Sequence, residues 1–224
     1  MALFSSVFPV VAAAADLSDY DLLVTSASYA AGPVSNGVFR FNPVSGEMLG
    51  PFGCGAKIVD PRGIRLNPKG DHVVVNNGDD KLIVFDAKSG NYFGELASVP
   101  GLNPGGSKFG RDGRYYVGSR SKKTVVAIDV FGQTPPETFI PGTYVKFPRG
   151  LAAAPNGDFY LASGTDPATG EGENTILRFT EDGKLDETFK VADRDLSPTD
   201  TEVAPSGNLL SASEHPFKSH SPGV

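Results

Sequence analysis

Tryptophan is absent, cysteine occurs once, and histidine occurs three times in 224 residues. The single cysteine, Cys54, excludes an intrachain disulfide. It sits in Gly53-Cys54-Gly55 with no histidine nearby in sequence, so the expectation is a small apolar residue rather than a nucleophile. Basic residues are not in excess: 20 Lys and Arg face 26 Asp and Glu, a net charge of −6. That balance argues against nucleic acid or an anionic membrane as partner. Beyond the first fifteen residues no stretch of ten carries an apolar period of about 3.6, so the chain does not read as helical. Met1 to Ala15 is apolar and ends in Ala12-Ala13-Ala14-Ala15, like the core and cleavage site of a secretory signal. It lacks Lys and Arg, and Pro9 interrupts it, so a leader or an extra strand remains the alternative. The segment is too short to span a bilayer. The compartment therefore stays open between export and the cytoplasm.

What the chain has instead is glycine and proline, 27 and 18 of them, at regular places. Pro61-Arg62-Gly63, Pro104-Gly105-Gly106, Pro148-Arg149-Gly150 and Pro198-Thr199-Asp200 recur at spacings of 43, 44 and 50 residues. A short semi-apolar stretch follows each. Next comes a glycine turn: Lys69-Gly70, Asp112-Gly113, Asn156-Gly157 and Ser206-Gly207. An apolar strand then follows: Val73-Val74-Val75, Tyr115-Tyr116-Val117, Phe159-Tyr160-Leu161 and Leu209-Leu210. Third strands recur as Val38-Phe39-Arg40-Phe41, Leu82-Ile83-Val84-Phe85, Val125-Val126-Ala127-Ile128 and Ile176-Leu177-Arg178-Phe179. Several short strands in a repeat of 40 to 50 residues are the sequence signature of a propeller blade. The fold class is thus all-β, a β-propeller of four-stranded blades over residues 16–224. Four to five blades are present, and the ring they belong to is expected to be six-bladed. The last repeat halts after its second strand, so the domain reads as truncated within its final blade. Without tryptophan, the blades are not of the Trp-Asp repeat type.

Blade order divides the loops into two faces. The glycine hairpins share one. The entries to the first strands and the exits of the second strands share the other, around the channel mouth, where propeller function usually resides. On that face Arg62 and Arg149 stand at equivalent repeat positions. Two guanidinium groups there suit a carboxylate or phosphate, and Arg120 and Asn77 complete the candidate ligand-binding set; pairing of each arginine with a neighbouring carboxylate is the alternative. Asn76, Asp166 and Asp200 offer the oxygen donors that a hard cation such as Ca²⁺ takes, though such residues are equally ordinary turn formers. The loop from Gly164 to Asn174 is longer than its counterparts and carries three carboxylates. Glu214 and His215 are the candidate acid and base, but neighbours on an extended strand face opposite ways.

The stretch Pro-Arg-Gly-Ile-Arg-Leu-Asn-Pro-Lys-Gly-Asp-His-Val-Val-Val-Asn-Asn-Gly, residues 61 to 78, followed by Lys81 to Asp86, resembles an NHL-type repeat. The wider group it resembles contains streptogramin lyases and the gluconolactonase and regucalcin-like hydrolases, all six-bladed. The lactonase resemblance implies a divalent metal held by Asn and Asp at Pro-x-Gly-like turns. This chain has Arg62, Gly105, Arg149 and Thr199 there, with Asp200 one place off. The lyase resemblance implies a channel-mouth His with a Glu nearby. Here arginines stand at those positions, and Glu214 and His215 lie elsewhere in the blade. The expected function is therefore a binding module for a protein or a small anionic ligand at the mouth. The alternative is a metal-dependent hydrolase or a lyase.

Overall fold

A computed structural model describes residues 21–27, 36–166, 169–170, 172–192 and 196–214. The expected leader 1–15, His215, His220 and the segment 222–224 lie outside the described residues. Those described form β-sheets throughout, with no helix among them. The first sheet is β1 (Leu22–Ser26), β2 (Gly37–Phe41) and β3 (Met48–Phe52). Three sheets of four strands follow. They are β4 (Gly63–Leu66), β5 (His72–Asn77), β6 (Lys81–Asp86) and β7 (Tyr92–Ser98); β8 (Pro104–Phe109), β9 (Tyr115–Ser119), β10 (Thr124–Ile128) and β11 (Glu137–Ile140); and β12 (Pro148–Ala153), β13 (Phe159–Thr165), β14 (Gly172–Phe179) and β15 (Leu185–Ala192). The fifth sheet holds β16 (Pro198–Val203) and β17 (Leu209–Ser213). Every sheet is an antiparallel meander in chain order, so each sequence repeat is one propeller blade.

The alternation along each strand puts apolar side chains on both faces of the middle strands, and the core lies between blades. Val38, Phe52, Val75 and Phe85 fill the space between blades 1 and 2. Val74, Leu82, Leu102 and Tyr115 fill the next. Tyr116, Ile140, Leu151, Phe159 and Phe179 fill the third. Strands β5, β9 and β13 are almost wholly buried, as the centre of a stacked array requires.

The glycine of Pro-x-Gly has a packing reason. A Cβ on Gly106 would lie 2.3 Å from the carbonyl oxygen of Arg149, and one on Gly150 would lie 2.5 Å from the Cα of Asp200. Adjacent inner strands therefore approach backbone to backbone, closer than any side chain permits. Asp200 stands at that place in β16.

The middle residue of the motif has a different fate. In β12 the register jumps between Pro148 and Gly150, leaving Arg149 as a bulge; β16 does the same between Pro198 and Asp200, leaving Thr199. A bulge frees one residue from the ladder and re-aims its side chain.

Cys54 departs from expectation. It is exposed, and its thiol donates to Asn91 Oδ1 at 3.0 Å.

Candidate functional site at the channel mouth

The blade entries and the ends of the second strands meet on one face, joined by a recurring backbone bond. A residue at the end of the second strand donates its amide to the carbonyl of the residue before the proline: Arg120 to Asn103, Gly164 to Phe147, Glu214 to Ser197. Of the four candidate ligand residues Arg120 makes one of these ties, and the Arg62 amide donates instead to Asn76 O within blade 2.

Arg149 is the best-formed of them. Its side chain is only 13% exposed, yet Nη1 reaches Glu214 Oε2 of the next blade at 2.5 Å, and Glu214 itself is 59% exposed. The guanidinium also lies 5.9 Å from the ring centre of Phe147, and the Arg120 guanidinium lies 5.4 Å from the same ring. Phe147 thus carries two cations against its π-face, which restrains both arginines through cation–π attraction. Arg149 Nε is buried and has no hydrogen-bond partner among the described residues. Gly164 completes the cradle: a Cβ there would lie 2.7 Å from Arg149 Cδ.

Arg62, at the equivalent position of blade 2, makes the equivalent reach forward. It donates to Asn103, at the entry of blade 3, and to Asp60 beside it. Its side chain is 14% exposed. Both arginines therefore hold an acidic or amide oxygen from the protein itself.

Asn76 and Asn77 are turned inward. Asn76 Nδ2 donates to Gly105 O at 2.7 Å and Ser107 Oγ at 2.9 Å, and Oδ1 accepts from Tyr115 OH at 2.8 Å. Asn77 Oδ1 accepts from the Val59 amide at 2.7 Å, while Nδ2 donates to Asp79 Oδ1 at 2.7 Å. Both residues are fully buried, so their amides serve the seams of the fold. Burial also pushes the Tyr115 phenol up to about 12.

Asp166 lies at the head of the long loop, where its carbonyl accepts from the Gly170 amide. Asp200 is on the inner strand of blade 5, 4.0 Å from Arg65 Nη2 of blade 2, and accepts from the Thr201 amide. With Asn76 buried in blade 2, the three cation candidates sit on three separate blades. Among the described residues no group of three or more His, Cys, Asp or Glu is placed to hold a metal ion. Of the acid–base pair, Glu214 is engaged by Arg149 and His215 lies outside the described residues.

Sequence reasoning missed Phe147 and the channel wall. The residue before each motif proline is Asp60, Asn103, Phe147 or Ser197, so an aromatic at one register was the available signal. Lys108 pairs with Glu202 at 2.5 Å, from blade 3 to blade 5, and joins Arg65 and Asp200 in lining the channel with paired charges.

An all-β propeller with a cation-bearing mouth is the class these features define. Comparison with solved structures agrees on the fold. The chain is similar to a structure from the nidogen/laminin complex, at 15% identity and TM-score 0.62, over 79% of this chain and 64% of that one. It is similar to hydrazine synthase of Kuenenia stuttgartiensis, at 18% identity and TM-score 0.59, over 80% and 50%. It is also similar to a catalytically inactive virginiamycin B lyase from Staphylococcus aureus with quinupristin, at 13% identity and TM-score 0.56, over 80% and 57%. The chain spans about half to two thirds of the length of these structures. No protein-family model and no curated protein matches it. No helix among the described residues is long and apolar enough to cross a membrane.

Proposed function

We propose that the protein is a binding module that captures a carboxylate at the channel mouth, on a small anionic ligand, with Arg149 as the anchor and Arg120 and Phe147 as its support. The observation that carries this reading is the Arg149–Glu214 contact. A largely buried, bulge-aimed guanidinium presents its outer edge to a carboxylate that is itself mostly in solvent. Glu214 occupies the anion position from within the chain, and an incoming carboxylate exchanges with it at little electrostatic cost, because one ion pair replaces another. Arg62 offers a second position of the same type on blade 2. The six-bladed ring belongs to the same proposal, supported by the resemblance of the repeat at 61 to 78 to six-bladed groups.

Calorimetric titration with citrate tests the reading. Arg149→Ala abolishes binding, whereas Glu214→Gln tightens it severalfold by removing the internal competitor. Unchanged or weaker binding in Glu214→Gln overturns the proposal. The hydrolase or lyase alternative draws support from the likeness to virginiamycin B lyase. It requires a tight Ca²⁺ site sensitive to Asp200→Ala, read in the same instrument.

A further inference from the structure

The opposite face holds a feature that the mouth does not use. Between the hairpins of blades 2 and 3 runs an open groove of about 760 Å³, within the range of sites for small ligands. Its floor is apolar and is lined by Val74, Leu96 and Phe109, at the edge of the core between blades 2 and 3. At its rims stand Phe93, 68% exposed, and Phe131, 79% exposed, each on a different blade. Such exposure of two phenylalanines at the two edges of one groove costs solvation free energy that a bound apolar ring recovers.

The groove also contains one oriented polar group. His72 lines it, with its ring 4.1 Å from that of Phe93. His72 Nδ1 is 2.8 Å from Asp71 Oδ1, and Asn67 Nδ2 donates to that same carboxylate oxygen at 2.7 Å. These hydrogen bonds hold the Asp71 carboxyl below its usual range. When the imidazole is neutral, the carboxylate beside Nδ1 selects the tautomer that carries its proton there, which makes Nε2 the acceptor. Nε2 has no partner among the described residues. The charges around the groove are mixed: Asp71 and Glu95 line it together with Lys69, and Glu95 is paired with Lys81 at 2.7 Å, so the groove favours neither sign of charge on a ligand.

We infer that this groove is a binding site for a neutral, planar aromatic alcohol, its ring between Phe93 and Phe131 and its hydroxyl donating to His72 Nε2. It is separate from the mouth in place and in chemistry. The probe is 2-naphthol, with 2-methoxynaphthalene as the analogue that has no proton to donate. Saturation-transfer NMR on the full chain should show saturable naphthol binding, with the His72 ring resonances shifting. The preference over the methoxy analogue should be about fivefold to tenfold, the worth of one hydrogen bond. Phe131→Ala, at a position too exposed to endanger folding, should weaken naphthol about tenfold. His72→Phe should keep the aromatic platform and erase the preference. Absence of saturable binding by the folded protein overturns the inference. So does unchanged affinity in Phe131→Ala, or a preference that survives His72→Phe.

Discussion

The two faces of the propeller are built from one repeat and satisfy their polar groups in opposite ways. At the mouth, the bonds are long-range. Arg62 reaches Asn103, Arg149 reaches Glu214, Asp80 accepts from the amides of Gly101 and Asn103, and Asn76 crosses to Gly105 and Ser107. On the hairpin face, the bonds are local. Asn67 accepts from Asp71 and His72, Asp129 from Phe131, Gln133 and Thr134, and Asn156 from Asp158. Arg111 to Asn156 O is an exception, between exposed groups. Polar side chains thus sew the blades together at the mouth, while each hairpin closes on itself. The seam between two self-contained hairpins is where an apolar groove can stay open.

The largest test of this contrast compares two glycines. Gly106 lies at the inner-strand contact, where an added Cβ meets backbone at 2.3 Å. Gly113 lies in a hairpin with nothing within 4 Å, but at φ +81°. Gly106→Ala should cost about 3 kcal/mol or more, because backbone must part. Gly113→Ala should cost about 1 kcal/mol, the strain of a left-handed alanine. Urea midpoints measure both. Equal losses would mean that the inner strands are not held closer than the hairpins.

These glycines also show what the sequence could and could not tell. The strand positions, the blade repeat and the two loop faces were legible, since they follow from apolar periodicity and turn residues. The reason for the motif glycine was not, because it depends on the next blade, 43 to 50 residues away in sequence. Asn76 and Asn77 read as mouth ligands for the same reason. Adjacent Asn residues at a strand end suit a turn or a site, and only Tyr115, Ser107 and the Val59 amide show that both are enclosed. Arg62 and Arg149 were legible as a pair, but not the bulge that aims Arg149, since a register shift leaves no trace in one strand alone.

The seam between blades 2 and 3 predicts an alkaline limit. Tyr115 is fully buried, and burial raises its phenol from 10.0 to about 12. A raised folded-state value means that the neutral form is the one the fold accepts. Its contribution is complete below pH 10 and is lost as pH climbs through 12. At about 1.4 kcal/mol per pH unit, the loss amounts to about 2 to 3 kcal/mol over that window. Tyrosinate absorbance should show a delayed fraction of the seven tyrosines, ionising together with loss of the fold. Tyr115→Phe should remove that part of the alkaline dependence. Simple titration of every tyrosine near pH 10 with the fold intact would place the phenol in solvent.

The smallest effect lies in the mouth turns, where the long-range ties depend on a local backbone state. Asn36, Asp80 and Lys123 immediately precede β2, β6 and β10, and Asn174 lies near the start of β14, with φ of 55°, 68°, 56° and 49°. Three are Asx residues, which tolerate this region better than other side chains. Lys123 is a long side chain, for which the left-handed region is strained. Its side chain also loses rotamer freedom when the turn is ordered. Lys123→Asn should therefore stabilise the protein by about 0.5 kcal/mol, read as a higher urea midpoint at unchanged slope. The same exchange at Lys122, one residue earlier and without a positive φ, should leave the midpoint where it is. A gain at Lys122 equal to that at Lys123 would assign the effect to surface charge, and the backbone state would then not be what the mouth turns select.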